Sequence, residues 1–156
     1  MSLKVVLTGA PGTGKSTTLN LLIEEGFFCM EEISREIIQK AEREGNKNLF
    51  LSDPILFSEA ILNKRIEQFD ASANTPFIFY DRGIPDVTAY LNYVKTPIPD
   101  FFSKALEQHV YDLVFVFPPW EEIYTTDSER FETFNQAQLI DKSISEEYLK
   151  KHSQII

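Results

Sequence analysis

Gly9-Ala10-Pro11-Gly12-Thr13-Gly14-Lys15-Ser16 is the stretch that decides how this chain is read. It fits G-x-x-x-x-G-K-S/T at all four fixed positions, and the residue types are those that a polyphosphate demands. Wrapping phosphate oxygens takes backbone N–H groups at close range, and glycine permits both the dihedrals and the approach. A helix starting near Lys15 aims its first amides and its positive dipole end at the same anion. Lys15 can reach the β- and γ-phosphates, and the Ser16 hydroxyl can ligate Mg²⁺. Chance alone would produce the four fixed positions in roughly one chain of this size in two hundred. The flanks argue against chance. Leu3-Lys4-Val5-Val6-Leu7-Thr8 reads as a buried strand, and Leu19, Leu22 and Ile23 follow helical spacing up to Gly26. Gly9, Ala10, Pro11, Gly12, Thr13, Gly14, Lys15, Ser16 and Thr17 are therefore taken as nucleotide-binding.

Outward from the loop, strand and helix patterns alternate. Phe27-Phe28-Cys29-Met30 is an apolar run too short for a helix, and Ile33, Ile37, Ile38 and Ala41 mark a helix stopped by Gly45. Asp53-Pro54 has the form of an N-cap followed by proline at the first helical position, opening a helix with Ile55, Leu56, Ala60, Ile61, Ile66 and Phe69. Phe77-Ile78-Phe79-Tyr80 is a third strand ending at Asp81, and Leu113-Val114-Phe115-Val116-Phe117 a fourth, stopped by Pro118-Pro119. Helices are expected at about 86–94, 101–109 and 133–151. Fully apolar strands alternating with helices imply an α/β fold with a central parallel sheet covered on both faces.

Composition sets the outer limits. The 156 residues suit a single domain, and the acidic balance, a net charge of −9 without a Lys/Arg run, opposes nucleic-acid binding. One cysteine, Cys29, excludes an internal disulfide and a cysteine-based zinc site. No apolar run reaches the roughly 20 residues of a membrane span. Met1-Ser2-Leu3-Lys4 runs straight into a strand pattern, so a cytoplasmic domain without a signal peptide is expected.

Two further elements narrow the chemistry. A motor-type ATPase would end an apolar strand in Asp-Glu, whereas this chain has Tyr80-Asp81-Arg82-Gly83. Asp81 can hold Mg²⁺, directly or through water, and Arg82 suits a second anion or the transferring phosphoryl group, unless the two are simply a surface ion pair. The guanine signature N-K-x-D is absent, because Asn46-Lys47-Asn48-Leu49 has Leu in the last place. The run Glu31-Glu32-Ile33-Ser34-Arg35-Glu36 puts carboxylates at the C-terminal edge of the second strand, where open α/β sheets bind ligands. A carboxylate there can accept an acceptor hydroxyl's proton, with Arg35 orienting it or the substrate, or the run can simply cap a helix.

Residues 9–17, Glu32-x-x-Arg35-Glu36, residues 81–86 with Ala89-Tyr90, and Pro118-Pro119-Trp120 through Arg130 together resemble one family. It is the AAA-like P-loop ATPase/kinase group related to the nicotinamide riboside kinase domain of the NAD-regulatory proteins, and more distantly to deoxynucleoside and thymidylate kinases. The resemblance spans about residues 3–150 and implies a P-loop three-layer sandwich formed by one domain, residues 1–156, with a lid at about 118–131. It implies that Glu32 lies near the acceptor hydroxyl, that Asp81-Arg82 is the strand-end pair, and that Lys15, Glu32, Asp81, Arg82 and Arg130 are catalytic. Substrate contacts fall to Glu32, Arg35 and Arg82, and metal contacts to Ser16 and Asp81. The implied activity is transfer of the γ-phosphate of ATP, with Mg²⁺, to a small nucleoside-like hydroxyl. The alternative is a nucleotide-dependent switch with weak hydrolysis. The lid departs from the family pattern R-T-D-S-E-R-R, having Thr125 and Phe131 where arginines are expected, so Arg130 is left alone.

His109 and His152 are read as ordinary surface or helix-end residues, Cys29 as a small core residue, and Trp120 as packing at the lid hinge. Ile155-Ile156 has the character of a remnant of a further strand.

Overall fold

The computed structural model describes residues 2–71, 73–124, 132–151 and 155–156. Four strands, β1 (Leu3–Gly9), β2 (Phe28–Met30), β3 (Phe77–Asp81) and β4 (Leu113–Phe117), form one all-parallel sheet in the order β2-β3-β1-β4. Parallel neighbours need crossover connections, and helices supply them. In chain order they are α1 (Lys15–Glu24), α2 (Ser34–Arg43), α3 (Leu49–Ser52), α4 (Pro54–Asp70), α5 (Ile84–Tyr93), α6 (Asp100–Gln108) and α7 (Phe134–Leu149). The strand and helix assignments agree with the sequence reading except for the four-residue α3, which has too few positions to show a period. Ile155 forms a parallel bridge to Val114, with Ile156 N donating to Val114 O at 2.9 Å, so the end of the chain pairs along the outer edge of β4 as the strand-like Ile-Ile suggested.

Register sorts the strand side chains onto two faces. Val6, Tyr80, Val114 and Met30 stand side by side and pack against Leu62, Ile84, Leu91, Phe102, Ile144 and Tyr148 in the main core. The opposite face carries Leu3, Val5 and Leu7 with their partners Phe77, Phe79 and Phe115, and α1 lies over it through Leu19. Coverage here is thinner than expected. Leu3 and Phe77 remain 48% and 38% exposed, because one ten-residue helix is only about 15 Å long and shields part of a four-stranded sheet. Cys29 is half-buried rather than in the core, since β2 is the edge strand. His109 does end α6, yet it is buried. Its Nδ1 lies 2.6 Å from Ala105 O and its ring meets Phe69 edge-on. No helix among the described residues is long and apolar enough to cross a membrane.

The Asp53-Pro54 signal is realised in full: Asp53 Oδ1 accepts from Leu56 N at 3.0 Å with proline in the first turn of α4. Asp53→Ala should therefore cost about 1 kcal/mol and lower the melting temperature by roughly 2–4 °C in a chain of this size. An unchanged melting curve would mean that the cap adds nothing.

Candidate active site

All four strands point their C-terminal ends at one edge, and the loop of residues 10–14 rises from the central one. Gly9 has φ 137°, and a Cβ added there would lie 2.3 Å from the carbonyl oxygen of Phe117. Any side chain at that position would push β1 away from β4. Gly12 and Gly14, at φ 76° and 91°, complete the turn, and Gly14 is the N-cap of α1. Lys15 is buried, and its Nζ donates to Ala10 O at 2.7 Å and to Thr13 Oγ1 at 3.1 Å, inside the curl of its own loop. Burial, helped by the positive Arg82, lowers its ammonium to about 7 against the opposing pull of Asp81, Asp86 and Glu32. Ser16 and Thr17 are exposed in the first turn of α1.

Glu32 follows β2 and is pinned from several directions. Its Oε1 accepts from the amides of Ile33 and Ser34, both at 2.9 Å, and from Arg65 Nη2 at 3.2 Å, while Oε2 lies 3.1 Å from Arg82 Nε. Burial alone would raise this carboxyl, but the guanidiniums of Arg65 and Arg82 and the Ser34 hydrogen bonds outweigh it and hold it at about 2. Arg35 is expected from the sequence to orient this carboxylate or the substrate. It stands exposed in the first turn of α2, and Arg65 and Arg82 make the ion pairs that fix Glu32.

Asp81 and Arg82 lie at the exit of β3 and are not a surface ion pair. Arg82 Nη1 donates to Gly9 O at 2.9 Å and to Asp86 Oδ1 at 3.2 Å. Burial opposes its charge, but Asp86, Glu32 and Asp81 outweigh that and keep it protonated. Its Nη2 has no hydrogen-bond partner among the described residues. The Asp81 carboxyl is raised by burial and by neighbouring Glu32, and no ion pair among the described residues uses it. A buried carboxylate that no ion pair uses is an oxygen donor of the hard kind.

Two residues were not singled out from sequence. Arg65 has only 2% of its surface exposed, and its Nη1 donates to the carbonyls of Asp81 and Arg82 at 3.0 and 2.9 Å. It occupies the apolar stripe Leu62, Arg65, Ile66, Phe69, and an arginine on such a stripe was the available signal. The other is Asp86 of α5, which accepts from Thr8, Gly83, Arg82 and Tyr148. Arg130, Thr125 and Phe131 lie outside the described residues, as does His152. Of the expected lid, residues 118–124 are described, and Glu132 follows its far end directly. Tyr124 Oη donates to Glu132 O at 2.6 Å and Tyr90 Oη to Glu132 Oε1 at 3.3 Å, so both ends meet against α5. Trp120 does not pack at a hinge, being 61% exposed.

A family model described as an AAA domain matches residues 4–156. The chain belongs to that family. No curated protein matches it. Among solved structures it is similar to deoxyadenosine kinase from M. mycoides with dCMP and dCDP bound, at 14% identity and TM-score 0.62, covering 99% of this chain and 90% of that one. It is similar to NadR protein in complex with NR at 21% identity and TM-score 0.71, spanning 99% of this chain but 45% of that one. Thymidylate kinase from Ehrlichia chaffeensis matches at 18% identity and TM-score 0.56, with 99% and 92% covered. At these identities the likeness establishes the P-loop kinase fold, as the sequence pattern implied.

The Glu32 ion pairs have a measurable consequence. Its folded-state value of about 2 lies below an unfolded value of about 4.3, so its ionisation stabilises the fold above that point and is lost as pH falls toward 2. Urea midpoints of wild type and Glu32→Gln should differ most near neutral pH and converge toward pH about 2. A gap independent of pH would contradict the pairing.

Proposed function

We propose that this AAA-family chain is an ATP- and Mg²⁺-dependent kinase that transfers the γ-phosphate to a neutral hydroxyl on a small, nucleoside-like acceptor. The observation that carries the reading is the position of Glu32, held between Arg65 and Arg82 on the edge where Lys15 and its loop emerge. An acceptor that already bore a phosphate would need cationic donors beside the carboxylate. Arg65 hydrogen-bonds Glu32 and two carbonyls through its Nη atoms, and Arg82 donates from Nη1 to Asp86 and Gly9 while pairing ionically with Glu32. Glu32 and Asp81 would also repel a dianion. A hydroxyl meets neither obstacle.

In this reading the amides of residues 9–17 wrap the β- and γ-phosphates, and Lys15 leaves Ala10 O and Thr13 Oγ1 to pair with their oxygens. The Ser16 hydroxyl and the Asp81 carboxylate are the donors for Mg²⁺, which neutralises charge on the phosphate oxygens when bound. Arg82 offers Nη2 to the transferring group, and Arg130 would add a second cation. The acceptor oxygen forms its bond to the γ-phosphorus as the bond to the β-bridging oxygen breaks, ADP leaves, and the hydroxyl proton passes to Glu32. A carboxylate with a value of about 2 is a weak base, so its first role is to orient the hydroxyl, with proton transfer following P–O bond formation in a loose transition state.

Product analysis with ATP·Mg²⁺ and a panel of nucleosides, including nicotinamide riboside, tests the assignment. A phosphorylated nucleoside with little free phosphate supports the kinase, and slow phosphate release without acceptor supports a hydrolytic switch. Lys15→Ala should weaken ATP binding roughly 10- to 100-fold, the cost of one charge-assisted hydrogen bond, while leaving the circular dichroism spectrum intact. Glu32→Gln should bind ATP like wild type and yield no phosphorylated acceptor. Transfer at the full rate in that variant removes Glu32 from the mechanism.

A further inference from the structure

We infer that Asp86 is a positioning residue, a fixed post that sets the Arg82 guanidinium against the phosphate loop before any ligand arrives. The kinetic part of this inference rests on the kinase reading, and the geometric part does not. Arg82 has φ +70°, a left-handed conformation that is unfavourable for a non-glycine residue and persists only when its surroundings hold it there. The backbone is held on every side. Arg82 N donates to Leu7 O at 3.0 Å, Arg65 takes the carbonyls of Asp81 and Arg82, and Gly83 N donates to Asp86 Oδ2 at 2.8 Å. The side chain is then fastened at Nε by Glu32 and at Nη1 by Gly9 O and Asp86 Oδ1.

An aspartate at the third position of a helix commonly reaches back to the N-cap amide, and that role needs only the Gly83 contact. Asp86 has more. It is 5% exposed, and Thr8 Oγ1 at 2.5 Å and Tyr148 Oη at 2.6 Å also donate to its two oxygens. Its carboxylate is thus anchored by β1, by the turn after β3 and by α7, on either side of the bond to Arg82. That anchoring lets the pair act as a rigid bracket, because the guanidinium cannot slide toward Glu32 without breaking a buried charged bond. Without the Asp86 charge, the pull of Glu32 at Nε would no longer be balanced at Nη1, and the guanidinium would be drawn off Gly9 O.

The test compares Asp86→Asn with Tyr148→Phe in the full chain, reading the Arg82 Nε–H resonance in ¹⁵N-labelled, ligand-free protein, assigned with Arg82→Lys. Asp86→Asn should speed exchange of that proton about tenfold or more, as expected for losing one charged bond to the same guanidinium, while Tyr148→Phe leaves it near wild type. With the acceptor found by product analysis, Asp86→Asn should lower kcat about 100-fold with ATP affinity within about threefold. Tyr148→Phe should lower the melting temperature and spare kcat. Asp86→Glu should recover part of the rate, which a purely structural role would not give. An unchanged Arg82 resonance in Asp86→Asn, or an equal change in Tyr148→Phe, overturns the inference. Should Asp86→Asn not fold, the doublet Thr8→Val/Tyr148→Phe decides: it keeps the charge but frees the carboxylate, so faster Arg82 exchange supports the bracket and wild-type exchange overturns it. If no acceptor is phosphorylated by wild type, the kinase reading fails and the resonance still decides the role of Asp86.

Discussion

Arg82 is the residue on which the site's geometry converges. Its guanidinium joins Glu32 at the end of β2, Gly9 at the end of β1 and Asp86 at the start of α5, while its own backbone leaves β3. Three strands that are neighbours in the sheet are therefore tied together a second time at their tips by one planar cation. Arginine suits this task because its donors lie in a fixed fork and its charge survives burial. A lysine's three donors radiate from one nitrogen and could not reach acceptors set against two separate nitrogens of a plane. The left-handed φ is the conformational cost of turning the side chain back across β1, and Arg65 holds the carbonyls that would otherwise drive the turn to relax.

Most of the architecture was legible because it depends on period and punctuation. The β1-loop-α1 unit, the Asp53-Pro54 start of α4 and the stops at Pro118-Pro119 and Gly45 are all local signals, and the structure realises each of them. The parallel sheet followed from apolar strands alternating with helices. What sequence could not supply was the pairing of charges across distance. Glu32 and Arg65 are 33 positions apart, and Thr8 and Asp86 are 78, and nothing in spacing announces that they meet. Arg35 attracted attention through its closeness in sequence to Glu32, whereas Glu32 forms ion pairs with Arg65 and Arg82, which are distant from it in sequence. A buried arginine on the α4 stripe was visible as an anomaly, but its meaning needed the third dimension.

The second sheet face shows the same limit in another form. Fully apolar strands imply a sheet covered on both faces, yet hydrophobicity says that a face is able to be covered and not by how much. The helix assigned to it is short, and Leu3 and Phe77 stay substantially exposed as a result.

Charge balance explains how such an arrangement can be at rest and still favour a polyanion. Lys15, Arg65 and Arg82 stand among Glu32, Asp81 and Asp86, so basic and acidic side chains in the cluster are matched in number. Attraction for a triphosphate then cannot come from a standing positive potential, and the chain as a whole carries −9. In the kinase reading it would come from groups whose partners are exchangeable: loop amides, the N-terminus of α1, and Lys15, which is occupied by a carbonyl and a hydroxyl rather than by a carboxylate. Replacing two neutral acceptors with phosphate oxygens gains charge-assisted bonds without breaking an ion pair. The arginines, bound to carboxylates, are arranged the opposite way, and in the kinase reading they would hold the shape into which the phosphates fit.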